Sequence, residues 1–175
     1  MSVSLRCYST SLGCPKNRVD TERLLGSLGV ALVPVELPDE AELVFINTCA
    51  FIQPATEESV RTIAQAIADI EELPKRPLLA VAGCLVGRYH AEDLAPELPE
   101  VDLWLDNSDL EAWPAMLARK LGLPEPTVPG RILSTGPSYA WLKISDGCRH
   151  ACSFCAIPNI RGGHRSHCKD MIVRE

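Results

Sequence analysis

The sequence predicts an α/β protein built on a doubly wound, mostly parallel sheet. Two observations carry this. Short apolar runs alternate with amphipathic stretches of helical period, as in successive βα units. The runs are apolar almost throughout instead of alternating, as expected of strands covered on both faces.

The first strand runs from Val3 to Tyr8. A helix follows from Asn17 to Leu28, with Val19, Leu24, Leu25 and Leu28 near one face and Gly29 as its C-terminal cap. Val30 to Val35 is the weakest strand signal, and Leu43 to Asn47 and Leu78 to Ala82 are the strongest. Between these two lies a helix over Thr56 to Glu72, with Val60, Ile63, Ala64, Ile67 and Ile70 at three- and four-residue steps. Thr56 is placed to cap it, Pro74 to stop it, and Glu57, Glu58, Glu71 and Glu72 to form its solvated face. Val101 to Leu105 is a further strand. Asp109 to Leu121 is a helix that tolerates Pro114 only in or near its first turn. The stretch PEPTVPGRILSTGP, with four Pro and two Gly, reads as a linker. Tyr139 to Ile144 (YAWLKI) is the last strand expected. The resulting division is a domain over 1–123, a linker over 124–138 and a second unit beginning at 139.

The charge pattern marks the same boundary. The 175 residues carry a net charge of −6, which argues against a wholesale nucleic-acid binder. Residues 1–142 hold 11 Lys/Arg against 20 Asp/Glu, whereas residues 143–175 hold 6 against 3, plus His150, His164 and His167. No apolar run reaches the roughly 18 residues of a spanning helix, and the start lacks the pattern of a signal peptide. A cytoplasmic protein without a membrane segment is the expectation.

Eight cysteines in such a chain read as metal ligands or redox groups. Cys148, Cys152 and Cys155 form C-x3-C-x2-C, three thiolates that one short loop turns inward on an iron–sulfur cluster or a zinc ion. A four-iron cluster normally takes four cysteines, so a triplet leaves one iron open, as a catalytic metal site requires. Gly147 lets the backbone approach closely. The alternative is a structural zinc loop completed by His150, His164, His167 or Cys168, although x3 followed by x2 fits paired zinc ligands poorly. Cys14, Cys49 and Cys84 stand 35 residues apart, each just beyond a predicted strand, and Gly13 and Gly83 precede two of them. In a parallel sheet, ligands gather at the carboxyl ends of the strands, so these three converge on one edge as a second metal site. Separately buried, packed thiols are the alternative. Cys7 reads as such a packed thiol and Cys168 as an incidental one. Asn47 and Thr48 are placed either to hydrogen-bond cluster sulfurs or to serve the turn. Arg161, Gly162, Gly163, His164 and Arg165 read as a solvated basic loop, with approach to a cofactor or substrate as the alternative.

The two triplets, in this order, resemble those of the methylthiotransferases of the radical S-adenosylmethionine superfamily, and the resemblance covers essentially the whole chain. SLGCPKNRVDTE (Ser11 to Glu22), INTCAFIQPATEES (Ile46 to Ser59) and AGCLVGRY look like the branch that methylthiolates an aspartate of small-subunit ribosomal protein S-twelve. The tRNA adenosine-modifying branch, the alternative, typically shows Gln-Met-Asn where this chain has Pro15-Lys16-Asn17. The resemblance implies two [4Fe-4S] clusters. One, on Cys148, Cys152 and Cys155, binds S-adenosylmethionine, which it cleaves to a radical that takes hydrogen from the aspartate. The other, on Cys14, Cys49 and Cys84, provides the sulfur, and a second S-adenosylmethionine provides the methyl group. It implies as partners the S-twelve protein and an electron donor of flavodoxin or ferredoxin type, and a monomeric enzyme. It makes 139–175 the beginning of a partial TIM-like barrel, so that the chain is the front of a longer enzyme and inactive alone. An iron–sulfur binding or electron-transfer module without catalysis is the reading from another class. Ser166-His167-Cys168 departs from the family's Ser-Arg-Pro and leaves the residues past Arg165 unassigned.

Overall fold

A computed structural model describes residues 4–175. Its elements in chain order are β1 (Ser4–Ser11), α1 (Pro15–Ser27), β2 (Ala31–Pro34), β3 (Leu43–Thr48), α2 (Gln53–Ile70), β4 (Leu78–Gly83), α3 (Cys84–Tyr89), α4 (Ala91–Leu94), β5 (Leu103–Asp106), α5 (Trp113–Leu121), β6 (Ser145–Asp146), α6 (Ile157–Arg161), β7 (Arg165–Ser166) and α7 (Lys169–Arg174). Single 3-10 turns lie at Pro38–Glu40 and Asn107–Asp109. Of the first predicted strand, Val3 lies outside the described residues.

The five long strands form one sheet in the order β2-β1-β3-β4-β5, and every pairing is parallel. The direction of winding reverses between β1 and β3, which opens a crevice at their carboxyl ends. Each strand feeds alternate side chains to two cores. Leu43, Phe45, Ala80 and Ala82 pack with Leu24, Leu25, Trp113 and Leu117 of α1 and α5. Val44, Ile46, Leu79 and Val81 pack with Ile63 and Ile70 of α2 and Leu85 and Val86 of α3. This two-sided burial explains why β3 is buried along its whole length and reads as a continuous apolar run.

Helix boundaries differ from the sequence expectation for local reasons. α2 begins at Gln53 with a proline in its first turn, and the Thr56 hydroxyl donates to the Ile52 carbonyl at 3.4 Å instead of capping the helix. α5 begins at Trp113, after the 3-10 turn, so Pro114 falls in the first turn where its missing N–H costs nothing. Gly29 adopts φ +67 just past α1, as a terminating glycine does. The expected strand at Tyr139–Ile144 does not form. No neighbouring strand pairs with it among the described residues, and Tyr139, Trp141, Leu142 and Ile144 are exposed while Lys143 alone is buried.

The proline-rich segment has no helix or strand but is strapped to α1. Gly130 donates its N–H to Ser27 Oγ at 3.0 Å, and Ile132 donates to the Glu22 carbonyl at 3.1 Å. Buried Glu22 accepts from Arg131 Nη2 at 2.7 Å and from the Ser134 hydroxyl at 2.6 Å. Burial raises its pKa, but the Ser134 hydrogen bonds and the Arg131 cation outweigh burial and hold it below the ordinary value. Gly26 makes the strap's approach possible, because a Cβ there would lie 2.5 Å from the Arg131 backbone. No described helix is long and apolar enough to cross a membrane.

Candidate metal centre

Cys14, Cys49 and Cys84 stand at the carboxyl ends of β1, β3 and β4, the edge where the sheet reverses direction. Cys14 occupies the N-cap position of α1, and Cys84 opens α3, so both meet helix N-termini. The Gly13 backbone lies directly against Cys49, since a Cβ on Gly13 would come 2.6 Å from the Cys49 sulfur. The Cys49 and Cys84 thiols are close enough to act on each other, and Cys14 is close enough to act on Cys49 electrostatically. The neighbouring Cys84 thiol lowers the Cys49 pKa to about 6, whereas Cys49 and burial push Cys84 up.

The frame under these thiols is made of hydrogen bonds across strand ends. Asn17 Nδ2 donates to the carbonyls of Leu12 and Thr48, both at 2.8 Å, and Asn47 Nδ2 donates to the Asn17 carbonyl at 2.8 Å. The Thr48 hydroxyl donates to the Ala82 carbonyl at 2.5 Å and accepts from the Leu85 N–H at 3.2 Å. Asn47 and Thr48 thus serve the turns. The groups facing sulfur are ones the sequence did not single out. The Cys84 thiol donates to Asn17 Oδ1 and accepts from Asn107 Nδ2, each at 3.8 Å. Ser59 of α2 fixes Cys49 by accepting its N–H at 3.0 Å and donating to its carbonyl at 2.7 Å.

Gly83, at φ +101, is required by this packing. A Cβ there would fall on Asn47 Oδ1 and lie 2.5 Å from the Thr48 carbonyl oxygen. Gly83→Ala is expected to cost about 2–4 kcal/mol from backbone strain and overpacking, read as a lower urea midpoint with an unchanged slope.

The second triplet lies on the loop between β6 and α6. Cys152 is exposed, and Cys148 and Cys155 are half-buried. Gly147, at φ +69, lies against the Gly162 and Gly163 carbonyls, where a Cβ would come 2.6 Å from the Gly162 oxygen, and Cys148 donates its N–H to that oxygen at 3.1 Å. The Cys155 N–H donates to the Cys152 carbonyl at 3.1 Å, and the His150 N–H to the Cys148 sulfur at 3.5 Å. His150 is exposed, and exposed His164 lies beside Arg149. His167 is half-buried, held below its ordinary pKa by burial and by the nearby Arg23 and Lys143 cations. Among the described residues no three Cys, His, Asp or Glu side chains are close enough together to hold a single metal ion. A multi-iron cluster spaces its thiolates more widely, and three cysteines with neutral amide neighbours are a donor set that suits one.

Cys7 is buried in β1, and burial pushes its thiol up to about 12, as expected of packed, inert sulfur. Cys168 is exposed. Arg161 departs from expectation. It is buried among carboxylates instead of lying in a solvated loop, because its partners Asp20 and Asp146 come from α1 and β6.

A sheet wound in this order, with three cysteines at its carboxyl edge, defines the class of this protein as an α/β domain with a cysteine-bearing sheet edge. The chain belongs to the family described as Uncharacterized protein family UPF0004, whose model matches residues 6–106. Its relatives carry a more particular name. It is 71% identical over 168 residues to the Ribosomal protein uS12 methylthiotransferase RimO of Nitratidesulfovibrio vulgaris (strain DP4), covering 96% of this chain and 39% of that protein. Proteins of the same name from Oleidesulfovibrio alaskensis and Lawsonia intracellularis are 64% and 57% identical, over 96% and 99% of this chain and 39% and 40% of theirs. The chain spans about two fifths of the length of these curated relatives.

Proposed function

We propose that this chain is the cluster-bearing front of an enzyme that methylthiolates an aspartate of ribosomal protein uS12 by radical S-adenosylmethionine chemistry. The relatives' shared name and the two cysteine triplets support this reading. The observation that carries it is that the turn bearing Cys148 docks on the same sheet edge as Cys14 and Cys84. Lys16, two residues after Cys14, donates to the Ser145 carbonyl at 2.8 Å, and Arg161 reaches Asn17 at 2.5 Å.

In this reading Cys14, Cys49 and Cys84 hold one [4Fe-4S] cluster, and Cys148, Cys152 and Cys155 hold the other, which also binds S-adenosylmethionine. When bound, these groups supply the electron that splits S-adenosylmethionine and the sulfur that is inserted. The chain's own part is positional. Asn17 and Asn107 orient the Cys84 sulfur, and the Gly147 turn presents Cys148. Residues 1–123 form the cluster domain, 124–138 the linker, and 139–175 the beginning of the S-adenosylmethionine domain. The enzyme is cytoplasmic and monomeric, and draws electrons from a flavodoxin- or ferredoxin-type donor.

The test is a chimera in which residues 1–175 replace the matching part of the Nitratidesulfovibrio vulgaris protein. After anaerobic reconstitution and reduction with S-adenosylmethionine, mass spectrometry of uS12 is expected to show methylthiolated aspartate. An iron-loaded chimera that leaves uS12 unmodified while the parent protein modifies it would contradict the proposal.

A further inference from the structure

Four charged side chains meet under the Cys148 turn, all nearly inaccessible to solvent: Asp20 of α1, Lys143, Asp146 of β6 and Arg161 of α6. Half-exposed Lys16 adds a third cation from the rim, its Nζ 3.7 Å from Asp146 Oδ1. Lys143 Nζ lies 2.5 Å from both Asp20 Oδ1 and Asp146 Oδ2, so one cation already bridges the two carboxylates. Arg161 Nη1 contacts the same pair from the other side, at 3.2 Å to Asp20 and 3.0 Å to Asp146. This leaves the other arm of the guanidinium free of carboxylates, and Nη2 donates to Asn17 Oδ1 at 2.5 Å. That oxygen accepts from the Cys84 thiol, which the guanidinium also faces. At the opposite end, Asp146 Oδ1 accepts the Gly147 N–H at 2.9 Å, and Gly162, next to Arg161, accepts the N–H of Cys148.

We propose that Arg161 is a positioning residue that holds the two cysteine triplets in register, its guanidinium spanning from Asn17, which holds the Cys84 sulfur, to the carboxylate that orders the Gly147–Cys148 turn. A planar fork serves both directions at once, which the compact ammonium of lysine does not. The fixed cation beside Cys84 also favours the reduced, more negative state of whatever iron that sulfur holds. This second consequence rests on the cluster reading above. The first does not.

The 175-residue chain provides the test, as wild type, Arg161→Met, Arg161→Lys and Asp146→Asn. In metal-free protein, Arg161→Met is expected to speed amide exchange at Gly147 and Cys148 by at least about tenfold more than at β3 and β4 amides. Asp146→Asn, a near-isosteric change, is expected to do the same to the turn, and so reads the register even where Arg161→Met unfolds. Unchanged exchange at the turn in both variants overturns the registering role. In a background with Cys148, Cys152 and Cys155 replaced by alanine, the remaining cluster is expected to show a more negative midpoint potential in Arg161→Met. Arg161→Lys returns that potential toward wild type while leaving the turn fast to exchange. Equal potentials in wild type and Arg161→Met overturn the charge role, whereas no iron bound in this background overturns the cluster reading and leaves the exchange result to decide the register.

Discussion

Alanine at Cys148 is expected to abolish S-adenosylmethionine cleavage by the reconstituted chimera, whereas alanine at Cys84 is expected to leave cleavage intact and to stop sulfur insertion. The asymmetry follows from where the two thiols stand. Cys148 opens a loop on which it and Cys155 are half-buried and Cys152 is exposed, and its removal leaves too few ligands for a cluster with an open iron. Cys84 is buried at the start of α3, held by Asn17 and Asn107, and belongs to the other triplet. The expected loss of 5′-deoxyadenosine formation in Cys148→Ala is at least about a thousandfold, or ~4 kcal/mol of barrier. Cleavage lost in both variants would show that the division of labour between the triplets is wrong.

Lys143→Met is expected to cost about 3–5 kcal/mol of folding stability, because Asp20 and Asp146 are then left sharing Arg161 as their one buried cation. Lys143→Met combined with Asp20→Asn should recover much of that loss by removing one of the stranded charges. Chemical denaturation of the two variants checks both statements. The same group gives an acid dependence. Burial raises the Asp146 pKa, but Arg161 and Lys143 more than offset it and lower the value from 3.8 to about 2. A depressed folded-state pKa stabilises above the unfolded value, so this contribution is complete near neutrality and disappears as pH falls from about 4 to about 2. A Lys143→Met protein as stable as wild type at neutral pH would show that the buried charges are not coupled.

The sheet was legible because its central strands are covered on both sides, so LVFIN and LLAVA carry no polar interruption. The short helix α3 was not, since CLVGRY spans too few residues to show a period. YAWLKI misled in the opposite direction. Its aromatic and aliphatic residues imitate a buried strand, yet Tyr139 is 57% and Trp141 44% exposed while Lys143 is 4% exposed. A single lysine within an apolar run was the available signal that this segment buries a charge instead of a face. The cysteines were legible as triplets because spacing and strand ends are local features. Their surroundings were not, because Arg161 meets Asn17 and Asp20 across more than 140 residues of chain.

The central claim is that two separate three-cysteine sites share one edge of this sheet, and iron counting on the anaerobically reconstituted 175-residue chain tests it most directly. The account predicts about eight irons per chain, falling to about four when either Cys14, Cys49 and Cys84 or Cys148, Cys152 and Cys155 are replaced by alanine. About four irons in the wild type, unchanged by one of the two replacements, would remove that site, and stoichiometric zinc without iron would contradict the account altogether.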